Sequence, residues 1–508
     1  MTSGKISRRR FMQSSVAAGV GASLLPSCAM MDRFFGLEKS KLDQEVLVIG
    51  AGAAGLMAAY ELKKAGIPFR LFEGSGRIGG RVYTLENFDS EGHVAELGAE
   101  YFEEDHKLIF DLCKELNLPI DEVKWDRGLE KQLTFSRGKI LTTKETNSRL
   151  QKLSNELIRI KLHLVGDRNE IITPFNVKDF PQAPAFDQLS VMDLLQSLKD
   201  TVDAETLSIF ETSCVAQFGR SLNRVSSMHL LNALDLEAKG QKTLFRVRYG
   251  NQRLLRTLYD RVASVMPDFF VRLDSPLIEI QEKPNSFQCF FKSPSGNKKF
   301  EARQVILALP VNQYKNIEGF QKLQISDAKK ESVTKVELGS HTKVVLGYKQ
   351  KFWLKRQDLI LASRGSFFKE NLPMITWDGS LAQGGTKGVL AALIGGEACQ
   401  SLGSGYAEQI IKELQVFSRS FKNEFENNSH LMDWKKKPFS EGSYVIYGPG
   451  DFLKYHGLWS ESDYGGRLAY AGEHCHLTRF GTLSGALESG RQAAANMIES
   501  RKGQSAKS

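Results

Sequence analysis

The chain has 508 residues, 41% of them hydrophobic and 25% charged, which excludes a disordered or fibrous protein and provides enough chain for two or three domains. The formal charge is +9, but Lys5, Arg8, Arg9 and Arg10 lie in a leader without acids. The +5 that remains is no basis for nucleic-acid binding, Lys435-Lys436-Lys437 reads as a solvated face, and no apolar run is long enough to span a membrane.

The leader comes first. Ser7-Arg8-Arg9-Arg10-Phe11-Met12 precedes a short apolar stretch from Val16 to Leu25, which reads as a twin-arginine export signal over residues 1–28. The expected partner is the twin-arginine export machinery, and the expected location is the periplasm or cell envelope. Leu25-Pro26-Ser27-Cys28 resembles a lipobox, and acylation of Cys28 would anchor the chain to a membrane. Cleavage after Ala29 is the alternative.

Glu45-Val46-Leu47-Val48-Ile49 reads as a buried strand, followed by the glycine turn Gly50-Ala51-Gly52-Ala53-Ala54-Gly55. A helix from Leu56 to Ala65 follows, with Gly66 just past its end, and then a second strand, Phe69 to Phe72, that stops at Glu73. This order suits a dinucleotide. Gly50 allows the tight turn, Gly52 lets the backbone approach a pyrophosphate, and Gly55 lets helix and strand pack closely. The helix start offers N–H groups to phosphates, and Glu73 can accept from ribose hydroxyls.

Further along, Leu150, Leu153, Leu157, Ile160 and Leu164 recur at helical spacing, and Ser190-Val191-Met192-Asp193 reads as a helix start. Thr342 to Tyr348 and Val389 to Ile394 read as strands. Gly466 to Gly472 reads as a strand ending at Glu473, and Gly481-Thr482-Leu483-Ser484-Gly485 opens a last helix. The six cysteines have no disulfide spacing, and His474-Cys475-His476 has no matching ligand pair elsewhere, so no metal is expected.

Glu73-Gly74-Ser75-Gly76-Arg77-Ile78-Gly79-Gly80-Arg81-Val82-Tyr83-Thr84 resembles the arginine and double-glycine segment of the flavin-containing amine oxidase family. The Gly472-Glu473 strand end and the Gly481 helix start resemble that family's C-terminal flavin motif. The resemblance spans roughly residues 45–498. It implies an α/β fold: a Rossmann-like FAD-binding domain assembled from discontinuous segments, with a mixed α+β substrate domain. The FAD domain would take 45–118, 246–319 and 434–498. The substrate domain would take 119–245 and 320–433, and 499–508 would be a disordered tail. The cofactor-binding residues it implies are Gly50, Gly52, Ala53, Ala54, Gly55, Glu73, Gly74, Arg77, Gly79, Gly80, Arg81, Leu97, Gly98, Ala99, Leu277, Trp434, Gly472, Glu473, Thr482 and Leu483.

The same resemblance places Lys343 where the family holds a water against the flavin, and Tyr444 on one wall of an aromatic cage whose opposite wall falls on Thr482. Ser443 stands where monoamine oxidases carry the cysteine that bonds the flavin, so FAD is expected to be noncovalent unless Cys475 substitutes. L-Amino acid oxidases place an arginine clamp for the substrate carboxylate where this chain has Tyr101, and Glu100 beside it would repel a carboxylate. Tyr101 is therefore the third candidate in the substrate pocket, and Arg479 is the alternative clamp. The activity implied is oxidation of an amine C–N bond, with O2 reduced to H2O2. The alternatives are L-amino acid oxidation, a dehydrogenase or desaturase that reduces a quinone, and a noncatalytic flavoprotein.

Overall fold

The computed structural model describes residues 45–505 apart from 125, 127, 169, 235–241, 264–270, 294–295 and 357–360; the segment read as an export signal and Cys28 lie outside the described residues. Val46–Ile49 is an unbroken apolar run buried on both faces, the pattern of a parallel strand covered by helices. It pairs parallel with Phe69–Phe72 on one side and Gln304–Leu307 on the other. Val271–Arg272 and Leu468–Tyr470 extend the two flanks, also in parallel. The five strands come from three distant parts of the chain and lie in the order third, second, first, fourth, fifth. The order turns round at Val46–Ile49, so a crevice opens at the carboxyl ends of the first and fourth strands.

The helix Ala53–Lys64 starts in that crevice. Gly50 has φ +106°, and a Cβ there would stand 2.3 Å from the Ala308 carbonyl oxygen. A Cβ on Gly55 would stand 1.8 Å from the Gly50 carbonyl oxygen, so the helix can press on the turn only because both residues are glycine. The last helix, Leu483–Ser505, packs along Ala53–Lys64. It runs past 499, where an irregular tail was expected, because Gln304 at the start of the fourth strand donates to Ser500 Oγ (2.7 Å) and the Met497 carbonyl (3.2 Å).

The second body is a seven-stranded mixed sheet. Its order is Phe425–Asp433, His341–Tyr348, Gly388–Gly395, Leu372–Asp378, Phe367–Lys369, Leu133–Ser136, Lys139–Leu141. The last two strands form a hairpin inside the stretch read as helical. Arg137 (φ 46°) and Gly138 (φ 79°) supply the two positive φ angles of its turn. Short strands at its two ends, Ile120–Glu122 and Leu244–Val247, pair with each other, and most of the described residues between are helical. Thr143–Val165 begins in a capping box between Thr142 and Glu145, and Val191–Ser197 in one between Ser190 and Asp193.

Alternation divides the sheet's two faces. Val344, Leu346, Ala392 and Ile394 pack against Ile410, Ile411 and Leu414 of the helix Tyr406–Leu414. Val345, Ala391, Met432 and Trp434 pack the other way, against Phe88, Ala95 and Leu97. Lys343 belongs to this second face, paired in register with Leu393 and Met432.

Gly490 of the last helix lies against the first one, where a Cβ would stand 2.1 Å from the Ala54 carbonyl oxygen. Gly490→Ala therefore lowers the stability by about 1–3 kcal/mol through overpacking, despite alanine's better helix propensity. A denaturant midpoint that rises or stays the same would contradict this contact.

Candidate active site

A cavity of about 730 Å³ runs from the crevice of the parallel sheet to the second face of the seven-stranded sheet. That lies within the range of roughly 300–1,000 Å³ usual for ligand pockets. Gly50, Gly52, Ala53 and Ala54 line one end. No side chain caps the helix there, so its first N–H groups and the positive end of its dipole are turned to the cavity. Gly52 and Gly80 face each other: a Cβ on Gly80 would lie 3.3 Å from Gly52 Cα. This is a cradle made only of backbone. Glu73 stands beside it, its carboxylate accepting from Ala51 N–H (2.7 Å), Ser75 N–H (2.9 Å) and Ser75 Oγ (2.8 Å). Gly74, Leu277, Gln313 and Phe439 also line this region. Gln313 Nε2 is buried without a hydrogen-bond partner, a donor that a bound polar group would satisfy.

Arg77 lines the cavity but directs its N–H groups to the carbonyls of Ile78 (3.1 Å), Val82 (3.4 Å) and Gly80. Burial pulls its guanidinium below the ordinary value. It holds the shape of the Gly79-Gly80 loop. Arg81 reaches Glu473 Oε1 (2.8 Å) and the Ser443 carbonyl (2.5 Å). Glu473 Oε2 accepts from Gly481 N–H (2.9 Å). Gly98 fits under Arg81, where a Cβ would stand 2.1 Å from the Arg81 carbonyl oxygen. Trp434 Nε1 donates to the Leu97 carbonyl (3.0 Å), and Thr482 Oγ1 accepts from Gly485 N–H (3.0 Å) at the start of the last helix. Leu97, Gly98, Ala99, Gly472 and Leu483 complete this wall.

The far end is lined by Glu100, His341, Lys343, Trp377, Leu393 and Tyr444. Lys343 is 3% exposed and Glu100 7%. The Lys343 ammonium donates to Glu100 Oε2 (2.6 Å) and the Gly98 carbonyl (3.3 Å), and lies 4.9 Å above the Trp377 ring centroid. Tyr444 packs on His341 with ring centroids 5.1 Å apart, and its hydroxyl donates to the Gln217 carbonyl. Its ring lies 3.6 Å from where a Cβ on Gly481 would stand, so Tyr444 and Thr482 bound the same space. Ser443 Oγ sits between His341 Nδ1 (2.7 Å) and the Gly339 carbonyl (2.9 Å).

Five expectations change here. Tyr101 does not line the cavity; its hydroxyl lies 3.5 Å from the Asp378 carbonyl and beside the Glu100 carboxylate, and it is Glu100 that reaches the cavity wall. Glu100 is not a lone repelling charge, because Lys343 pairs with it. Arg479 is no clamp; it pairs with Glu488 (3.2 Å) and Asp105 (3.8 Å) and does not line the cavity. Gly55 lies behind the turn, off the cavity wall. Cys475 is buried off the cavity as well, its sulfur 3.5 Å from His474 Nε2 and its thiol pushed up by burial.

Sequence reasoning missed Gln313, Asn316, Trp377 and Phe439. Trp377 had a signal: Met374, Thr376 and Asp378 alternate as the buried side of their strand, which leaves Trp377 for the other face. Phe439 had none. It is a non-glycine residue at φ 62°, and its ring lies over Gly74.

Residues 53–498 match the family described as flavin containing amine oxidoreductase. Amine oxidase [flavin-containing] B of Sus scrofa is 23% identical, over 89% of this chain and 86% of its own length. Pseudooxynicotine dehydrogenase of a Pseudomonas species is 24% identical over 98% and 97%. Among solved structures, putrescine oxidase bound to putrescine superposes with a TM-score of 0.73 at 20% identity, covering 90% of this chain and 99% of that one.

Four buried histidines give the site region a pH signature. Burial pushes His341 and His456 down to about 4 and His229 and His474 down to about 3. The unfolded chain therefore binds more protons than the folded one below about pH 6.5, and stability falls as pH drops from there toward 4. Each histidine contributes up to about 1.4 kcal/mol per pH unit. Burial raises Glu96 to about 7, Asp451 to about 6, and Asp187 and Asp378 above the ordinary carboxylate value, which offsets part of this fall. Denaturant midpoints should fall steadily from pH 6.5 to pH 4.5, and a flat profile would count against buried neutral rings.

Proposed function

The chain belongs to the flavin-containing amine oxidoreductase family, and we propose that it oxidises amines lacking an α-carboxylate, with noncovalent FAD and dioxygen as the electron acceptor, yielding hydrogen peroxide. The observation that carries the substrate reading is the far end of the cavity. Among the described residues, the only arginines on the cavity wall are Arg77 and Arg81, and both are engaged by carbonyls or by Glu473. Lys292 and Lys437 line the wall elsewhere, and at the far end the ammonium of Lys343 is matched by Glu100. A substrate carboxylate would be desolvated without a partner.

The residues present fit FAD. The Gly52–Gly80 cradle and the uncapped helix start would hold the pyrophosphate, Glu73 a ribose, and the backbone around Leu277 the adenine. The bound flavin would take up the two electrons and the hydrogen that leave the amine's α-carbon. This chain's own residues position and dry the substrate. Tyr444, Trp377, Trp434 and Leu393 offer apolar surface, which favours the neutral amine with its lone pair available. Ser443 carries no thiol, and no cysteine lines the cavity among the described residues, which supports noncovalent attachment.

The leader supports export through the twin-arginine route, with anchorage if Cys28 is acylated. Cell fractionation checks this part: the full chain belongs with the envelope, and a cytoplasmic pool after Arg8→Lys/Arg9→Lys is the expected consequence of losing the signal.

Two measurements check the chemistry. Acid precipitation should leave yellow flavin in the supernatant; a yellow pellet means a covalent bond. Anaerobic titration with a panel of amines and L-amino acids should bleach the flavin with amines alone. Bleaching by L-amino acids would give the site to the amino acid oxidase reading.

A further inference from the structure

The end of the cavity opposite the helix start carries a buried ion pair. Lys343 comes from the middle of a strand and Glu100 from the segment after Leu97, 243 positions away. Their side chains are 4% and 5% exposed, and the charged atoms are 2.6 Å apart. The Gly98 carbonyl and the Trp377 ring fill the rest of the ammonium's surroundings. Tyr101 is buried with its hydroxyl beside the Glu100 carboxylate and 3.5 Å from the Asp378 carbonyl, and the other ionisable groups nearby have partners off the cavity wall. Glu96 accepts from Asn251 N–H (2.6 Å) and Thr84 Oγ1 (2.8 Å). Arg246 donates to the carbonyls of Gly379 (3.0 Å) and Leu381. Asp378 accepts from Trp353 Nε1 (3.0 Å) and Ser380.

The placement of a dinucleotide follows from the other end. Phosphates belong at the helix start and the adenosine half beside Glu73 and Leu277, so the redox half extends toward Lys343 and Glu100. A single ammonium there would lower the energy of any anion formed beside it. A carboxylate in contact turns that charge into a short dipole whose field fades within a few ångströms.

We propose that Glu100 is a positioning residue that holds the Lys343 ammonium and compensates its charge, so that the ion pair, rather than the lysine alone, sets the flavin's reduction potential and its reactivity toward dioxygen. This rests on the reading of the cavity as a FAD site. Reoxidation transfers two electrons and a proton from the reduced cofactor, with a second proton from water, to dioxygen, giving hydrogen peroxide. The first electron makes superoxide, an anion at this wall. With Glu100 in place that step is slower than it would be beside an uncompensated ammonium.

The test uses purified FAD-loaded protein and inorganic sulfite, which bleaches an oxidised flavin by adding to it as an anion. Four variants are compared with the wild type: Glu100→Gln, Glu100→Asp, Lys343→Met, and the double variant Glu100→Gln/Lys343→Met. Glu100→Gln should bind sulfite at least about tenfold more tightly and raise the midpoint potential by about 30 mV, the equivalent of tenfold for a two-electron couple. Its reoxidation by dioxygen should accelerate. Lys343→Met should move all three in the opposite direction. The double variant is neutral like the intact pair and should return to within about threefold of the wild type, a non-additivity that a merely structural role would not produce. Glu100→Asp keeps the charge and should stay with the wild type.

If Glu100→Gln folds poorly, the Lys343→Met and double-variant arms still decide. Yellow variants whose sulfite affinity and potential match the wild type overturn this proposal and leave the FAD site standing. A wild-type protein that binds no FAD overturns both.

Discussion

The site depends on one carboxylate. Glu473 sits at the end of the fifth parallel strand and accepts from Arg81 on one oxygen and from the Gly481 N–H on the other. Arg81 also holds the Ser443 carbonyl, so segments near 81, 443, 473 and 481 meet at one buried ion pair. Those segments lie almost four hundred residues apart, and nothing local brings them together. A pair of this kind contributes little net stability once its desolvation is counted, but losing one partner strands the other. Its effect is on geometry: it fixes the double-glycine loop, the strand end and the last helix in one arrangement around the cavity.

That dependence explains what the sequence revealed and what it hid. The turn at Gly50, the close approach at Gly55, the loop at Gly79-Gly80 and the helix start at Leu483 could be read because backbone geometry and close packing restrict residue choice there. Residues whose roles come from one partner far along the chain were harder. Arg77 was placed among the cofactor-binding residues by resemblance; it does line the cavity, but three carbonyls of its own loop take its N–H groups. Glu100 was read as a repelling charge because its counterion lies 243 positions away. Tyr101 was placed in the pocket by alignment with an arginine position, but it lies off the cavity wall, packed beside Glu100. The hairpin at Arg137-Gly138 was readable in principle from its turn, but the helical spacing that begins at Leu150 masked it.

The far end of the cavity has a different origin from the near end. Its chemistry is a property of sheet register. Lys343 pairs across to Leu393 and Met432, and Trp377 pairs across to Ala391, which places all of them on one face. Sliding His341–Tyr348 by one residue would send the lysine into the apolar core beneath Ile410 and Leu414 and bring Thr342 or Val344 to the cavity. The other face, packed with Val344, Ala392, Ile394 and the helix Tyr406–Leu414, forbids that slip, because an unpaired ammonium there would be desolvated with no counterion.

The two bodies therefore contribute unequally to function. The parallel sheet supplies a cradle of backbone, with glycines and a helix start that suit a phosphate whatever the rest of the ligand is. The seven-stranded sheet supplies the side chains at the other end, and the segment from Leu97 to Glu100 joins the two. That segment is held by backbone bonds from Leu97 N–H to the Tyr83 carbonyl (2.8 Å) and from Ala99 N–H to the Arg81 carbonyl (3.3 Å). Arg81 is also the partner of Glu473, so the carboxylate that assembles the cofactor end is two residues of contact away from the one that meets Lys343. Arg81 thus anchors both ends of the wall, one through its side chain on Glu473 and the other through its carbonyl on the backbone that carries Glu100.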